Sequence, residues 1–290
     1  MTTCLTNLPH DIIFEVFSKK DILHVNDLVN LSRVNKSFSI STRPFIYKDV
    51  KTFHPSTSHL AQVELFARSI RENPQLALLP RTLHIGFRIQ CQQQVTVIRR
   101  LLAGLTLLEK LSIYLPGSAR GLRLEFVEEN ALQNLRCAKL EWPLTFQEVE
   151  RYILLPRLET LSAVLFLGLG GDMRAGKLKA KDAVLPKGQQ HQHVEPILKA
   201  FGISVVVECS EELDTLLAYC PGLESFTCGI DAPPGYPPSA PISPAKLAWV
   251  LTRRCHEALT TLNLETYDGA VIDGSSVADF SGLQRLKELK

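Results

Sequence analysis

Between residues 8 and 47 the apolar positions recur with a helical period. Leu8, then Ile12 and Ile13, then Val16 and Phe17 lie about one turn apart, which places them on one helical face. Pro9 suits the first turn, where its missing N–H leaves no bond unmade. Asp11 then sits near the positive end of the helix dipole. A second helix is predicted from Asp27 as N-cap, with Leu28, Leu31, Val34 and Phe38 recurring at steps of three, three and four. Pro44 is expected to end the helical region or to open a short final turn. A segment of about 40 residues lies near the lower limit for folding alone. Its surplus apolar surface requires a cover, either a neighbouring domain or another protein.

Beyond Tyr47 the pattern changes. A strand between Tyr47 and Phe53 would join the helices to the rest of the chain. A unit then recurs: a helix-compatible stretch, a hexad of the form Leu-x-x-Leu-x-apolar, and a loop. The hexads begin at Leu108, Leu158, Leu223 and Leu259, with a degenerate copy at Leu135 and partial copies at Pro80 and Leu283. The starts at 108, 135 and 158 are 27 and 23 residues apart, and those at 223, 259 and 283 are 36 and 24 apart. The gap between 158 and 223 has room for an insertion or an unrecognised copy. Each hexad predicts a short strand with alternate side chains inward, and each preceding helix would cover the strands. Candidate helices are 60–72, 95–102, 146–153, 211–218 behind Ser210 as N-cap, and 246–255 behind Pro244. One such unit cannot bury its own apolar face, so neighbours must stack. Two stretches break the pattern. Residues 168–194 combine glycines, lysines and a Gln/His run, and 232–244 carry six prolines. Both are expected to be inserted surface loops, the first mobile and the second extended.

The N-terminal residues resemble the F-box family. The matching positions are Leu8, Pro9, Asp11, Ile12 and Ile13; then Asp27 and Leu28; then Leu31, Val34, Asn35, Lys36 and Phe38; and finally Pro44 and Tyr47. The match covers about 40 of 290 residues. The link from Ser18 to Asn26 is longer and more polar than the family pattern. The later hexads resemble leucine-rich repeats, whose period is roughly 20–29 residues. They depart from that pattern in a drifting period and in lacking the usual asparagine in most copies. The resemblances imply an α/β protein: a small N-terminal helical F-box module over residues 1–50, then an irregular leucine-rich-repeat-like α/β solenoid over 51–290. They also imply docking onto the Skp adaptor of a cullin-RING ubiquitin ligase. Leu8, Pro9, Ile12, Ile13, Val16, Phe17, Leu28, Leu31, Val34 and Phe38 are the candidate anchors, laid into a hydrophobic groove. Alternatively, several of them pack only on one another.

Composition narrows the picture further. Lys plus Arg is 32 and Asp plus Glu is 30, a net charge of +2. That balance argues against non-specific nucleic-acid binding as the main activity. No basic n-region precedes an apolar stretch and no run of 18 apolar residues occurs, so neither a secretory signal nor a membrane span is expected. The seven cysteines, at 4, 91, 137, 209, 220, 228 and 255, are odd in number and irregularly spaced. Reduced thiols in a cytoplasmic or nuclear protein are the expectation.

Catalytic motifs are not evident. There is no Gly-x-Ser-x-Gly, no phosphate-binding Gly-x-x-x-x-Gly-Lys-Ser/Thr and no His-Glu-x-x-His. His191 and His193 lack a paired Cys-x-x-Cys, and Gly168 to Gly171 lack dinucleotide-loop spacing. Cys255 and His256 are adjacent and should diverge on a helix, one into the core and one to the surface. The expected function is therefore a non-catalytic substrate receptor, without cofactor or metal, that holds a protein substrate of unknown identity. The alternative is an interaction scaffold whose N-terminal helices only cap the solenoid.

Overall fold

A computed structural model describes residues 10–18, 23–53, 59–86, 92–115, 132–165, 197–205, 210–229, 244–265 and 279–290. Among them the protein is α/β, with eight α-helices and nine parallel strands. The chain divides into two compact units, Met1–Leu132 and Gln133–Lys290. The N-terminal helices and the first three strands therefore share a unit.

The first unit begins with α1 (His10–Ser18), α2 (Val25–Ser32) and α3 (Lys36–Lys48). The expected second helix is two helices, because Asn35 interrupts it. Its side-chain oxygen accepts a hydrogen bond from the Phe38 N–H at 2.8 Å, capping a new helix. Val34 consequently lies in the turn between helices rather than on a shared face with Phe38. Asp27 is likewise not the N-cap. It stands in the first turn of α2, where its carboxylate accepts from the His24 N–H at 2.9 Å. Pro44 does not end the helix either, since α3 runs through it to Lys48.

β1 (Asp49–Phe53), β2 (Thr82–Gly86) and β3 (Lys110–Tyr114) then pair in sequence order. Helices α4 (His59–Glu72) and α5 (Gln92–Gly104) form the connections, the first continued by a 3-10 turn over Pro74–Leu78. A helical crossover is what parallel neighbours require.

The second unit repeats this arrangement with β4 (Cys137–Leu144), α6 (Phe146–Ile153), β5 (Thr160–Leu165), β6 (Ala200–Val205), α7 (Ser210–Ala218), β7 (Ser225–Gly229), α8 (Pro244–Cys255), β8 (Thr261–Glu265) and β9 (Glu288–Leu289). Every strand pairs in parallel with the one before it in this series. Thr145 and Glu148 form a capping box at α6: the Thr145 N–H donates to the Glu148 carboxylate at 2.7 Å, and the Glu148 N–H donates to Thr145 Oγ1 at 3.3 Å.

Register explains why the hexads recur. The fourth hexad residue forms one buried row, Leu161, Phe201, Phe226 and Leu262, across successive strands. The sixth forms a second row through Ala163, Ile203 and Cys228. The first residue, Leu135, Leu158, Leu198, Leu223 or Leu259, is buried at the turn into each strand. Alternate residues between these rows point away from the core, as strand geometry requires. One backbone device recurs where a strand begins. The Arg136 carbonyl accepts from both Glu159 and Thr160, that of Glu159 from Lys199 and Ala200, and that of Lys199 from Glu224 and Ser225. Glu224 and Thr260 continue the series, and Arg81 does the same for Glu109 and Lys110 in the first unit. One repeat thus fixes the entry of the next by two N–H groups on one oxygen.

The copy missing between Leu158 and Leu223 is the β6 repeat, which starts at Leu198. Its sequence, Leu198-Lys199-Ala200-Phe201-Gly202-Ile203, carries Phe at the fourth position, as the Leu223 copy does. Of the two expected loops, 168–194 lies outside the described residues. So does 232–244, except that Pro244 opens α8.

Candidate functional site

The three N-terminal helices enclose a core of their own. Ile13 and Phe17 of α1, Leu28 of α2 and Phe38 of α3 are buried together, with Leu23, Leu31, Phe45 and Ile46 packed against them. The rings of Phe17 and Phe38 meet edge to face, with centroids 6.2 Å apart, and Phe17 meets Phe45 at 6.4 Å. These are favourable aromatic geometries.

This core uses only part of the apolar arc of α1. Ile12 is 44% exposed and Val16 42%, four residues apart on one stripe of the helix. Phe14, not singled out by the sequence pattern, is 45% exposed although its ring lies 4.7 Å from that of Phe45. Val34 is the most open of these apolar residues at 64%, and Val25 and Ile40 add further exposed apolar surface on α2 and α3.

The candidate anchors therefore separate into three groups. Ile12, Val16 and Val34 are accessible. Ile13, Phe17, Leu28 and Phe38 are buried in the module's own core, and Leu31 is half-buried against it, so these five support the surface from behind. Leu8 and Pro9 lie outside the described residues. Phe14, Val25 and Ile40 are accessible apolar residues outside the candidate anchors. Phe14 sits two positions from Ile12, off the i, i+4 stripe, and it is the ring contact with Phe45, a tertiary feature, that marks it.

The module joins the rest of its unit through α3. The Tyr47 ring stacks on Phe66 of α4, with centroids 6.3 Å apart and planes 18° from parallel. That contact does not use the exposed stripe of α1.

The second unit carries the strongly perturbed titratable groups, and their surroundings are structural. Burial pushes the Cys220, Cys228 and Cys255 thiols up to about 12, so they are protonated at neutral pH and poor nucleophiles. Burial also raises the Tyr152 hydroxyl well above its ordinary range, and this hydroxyl has no hydrogen-bond partner among the described residues. The Tyr219 hydroxyl donates to Glu150 Oε1 at 2.7 Å, and that bond pushes it up to about 12. Arg254 of α8 donates to both oxygens of Asp214 on α7, at 2.7 and 2.6 Å. Those bonds hold the Asp214 carboxyl below the usual carboxylate range, against the opposing effect of burial. Each polar contact ties one helix to the next.

Among the described residues no three His, Cys, Asp or Glu side chains gather as a metal site would require. No described helix is long and apolar enough to cross a membrane. No family model and no curated protein matches this chain.

Proposed function

We propose that this chain is a non-catalytic substrate-receptor subunit of a Skp–cullin–F-box ubiquitin ligase. The observation that carries the reading is the division of α1. Ile13 and Phe17 satisfy the module's own core while Ile12, Val16 and the neighbouring Phe14 remain open to solvent. A helix that buries one apolar stripe and presents a second is suited to dock on a hydrophobic groove. The residues that resemble the F-box pattern give that groove an identity, the Skp adaptor.

On this reading the strand–helix units are irregular leucine-rich-like repeats that present a protein substrate. Catalysis belongs to the rest of the cullin-RING assembly. The receptor contributes proximity by raising the local concentration of a substrate lysine near the ubiquitin-carrying enzyme. Such a role places the protein in the cytoplasm or nucleus.

The scaffold alternative makes the same helices a solenoid cap. A cap would bury Ile12 and Val16 against the first repeat. The contact made with the first repeat is instead Tyr47 on Phe66, which favours the docking reading. Co-expression of the full chain with the Skp adaptor, with and without residues 1–50, tests it. Co-purification that disappears on truncation is the expected result. A folded full chain that fails to bring down the adaptor overturns the proposal.

A further inference from the structure

The first unit has a second accessible surface, on elements separate from α1 to α3. Helices α4 and α5 border a groove of about 720 Å³. Buried Ile70 and Leu101 lie at its floor, and Leu65, 51% exposed, forms part of its wall. Its charge is one-sided. Arg68, Arg71 and Arg100 line it, against the single carboxylate of Glu64 among the described residues. Arg68 reaches Glu72 at 3.8 Å, but both side chains are more than half exposed, so the pair is weak. Arg71 and Arg100 meet no carboxylate among the described residues.

We propose that this groove docks an acidic amphipathic helix of a protein partner. The floor offers an apolar slot between two neighbouring helices, the geometry into which a third helix lays its ridge. The guanidiniums at the rim are complementary to Glu and Asp on the flanks of that helix, and their planar forks bind carboxylates bidentately. A lone excess of positive charge beside apolar surface also disfavours basic partners, which gives the site a sign preference.

The test uses the full chain and a fluorescein-labelled helical peptide of leucine and glutamate, with a leucine–lysine peptide as counterpart. Anisotropy should rise with the acidic peptide and not with the basic one. R71E combined with R100E should weaken binding about tenfold or more, because exposed charge contacts act chiefly on recognition and encounter. Gly104→Leu gives an independent arm without any charge change. A Cβ there meets only Ile70 Cγ2, at 3.9 Å, so the backbone tolerates a side chain that fills the groove. It should also abolish the anisotropy rise, with circular dichroism unchanged. Equal binding of both peptides, no binding of the acidic one, or binding indifferent to both variants overturns the proposal. So does concentration-dependent self-association that the R71E/R100E change abolishes, since it would make a second copy the occupant.

Discussion

The exposed stripe of α1 can be tested quantitatively. Full burial of a Val or Ile side chain is worth about 1.5–3 kcal/mol relative to full exposure. Ile12 and Val16 retain 44% and 42% exposure in the free protein. Covering them fully would therefore release roughly 0.6–1.3 kcal/mol each. Replacing both by Ala should remove about 1–2.5 kcal/mol of adaptor affinity, a loss of roughly 5- to 60-fold at about 1.4 kcal/mol per decade. Ile12→Asp with Val16→Asp should go further, because a carboxylate forced into an apolar interface costs several kcal/mol beyond the lost contacts. No complex should then survive a pull-down. The free protein should be little affected, since both side chains already meet water. Ile13→Ala and Phe17→Ala should behave differently. They hollow the module's core at about 2–5 kcal/mol each and lose binding together with helical signal. Titration calorimetry against the Skp adaptor, with circular dichroism on each variant, separates the two classes. Undiminished affinity in the double Asp variant would refute the reasoning, whatever the core variants do.

Three further outcomes concern the second unit. Tyr152→Phe removes a buried hydroxyl that lacks a partner among the described residues, and should raise the urea midpoint by an amount equivalent to about 1 kcal/mol; a lower midpoint would show that the hydroxyl is bonded. The Asp214 carboxyl is held below its unfolded value by Arg254, so its contribution is complete above the ordinary carboxylate range and disappears as the pH falls through its folded value. Asp214→Asn should cost about 1–3 kcal/mol at neutral pH and flatten the acid limb of the stability curve below about pH 4; an unchanged acid limb would assign that limb to other carboxylates. Finally, Cys220, Cys228 and Cys255, raised to about 12, should resist iodoacetamide at pH 8 in the folded protein, where only about one thiol in ten thousand is ionised, and react on unfolding. Mass mapping that found any of the three alkylated as fast in the native state as in urea would contradict their burial.

The helices over 60–72 and 146–153 and the strands after Leu108, Leu158, Leu223 and Leu259 were legible because packing imposes their spacing. A side chain in the Leu161–Phe201–Phe226–Leu262 row must recur once per repeat at a fixed offset from the turn leucine, whatever lies between. Phe201 and Phe226 obey that geometry with a different residue, and the buried row accepts both. The single helix expected from Asp27 through Phe38 departs from the structure for the opposite reason. Leu28, Leu31, Val34 and Phe38 keep a helical period across a real break, because two short helices packed on one core can imitate one long one. Only the local chemistry of Asn35, whose side chain takes up the Phe38 N–H, marks the interruption. Periodicity registers burial and is blind to the cap.

The same distinction governs the candidate surface. Pattern alone placed Ile12, Ile13, Val16 and Phe17 on a single face, and on a straight helix they do form one arc. Which part of that arc is buried inside the module depends on where α2 and α3 cross it, and this is tertiary information. Phe38 and Phe45 meet Phe17, closing the 13/17 side, while the 12/16 side meets solvent. Phe45 also draws Phe14 to the margin of the open side. The surface is thus a remainder: what the apolar arc of α1 contains beyond the demand of its own core. An apolar remainder held on a packed helix costs free energy in water unless something covers it, and its ordering has already been achieved within the free protein. Docking then requires little reorganisation. A docking module needs both halves of the arc, one to hold the helix still and one to be covered by the partner.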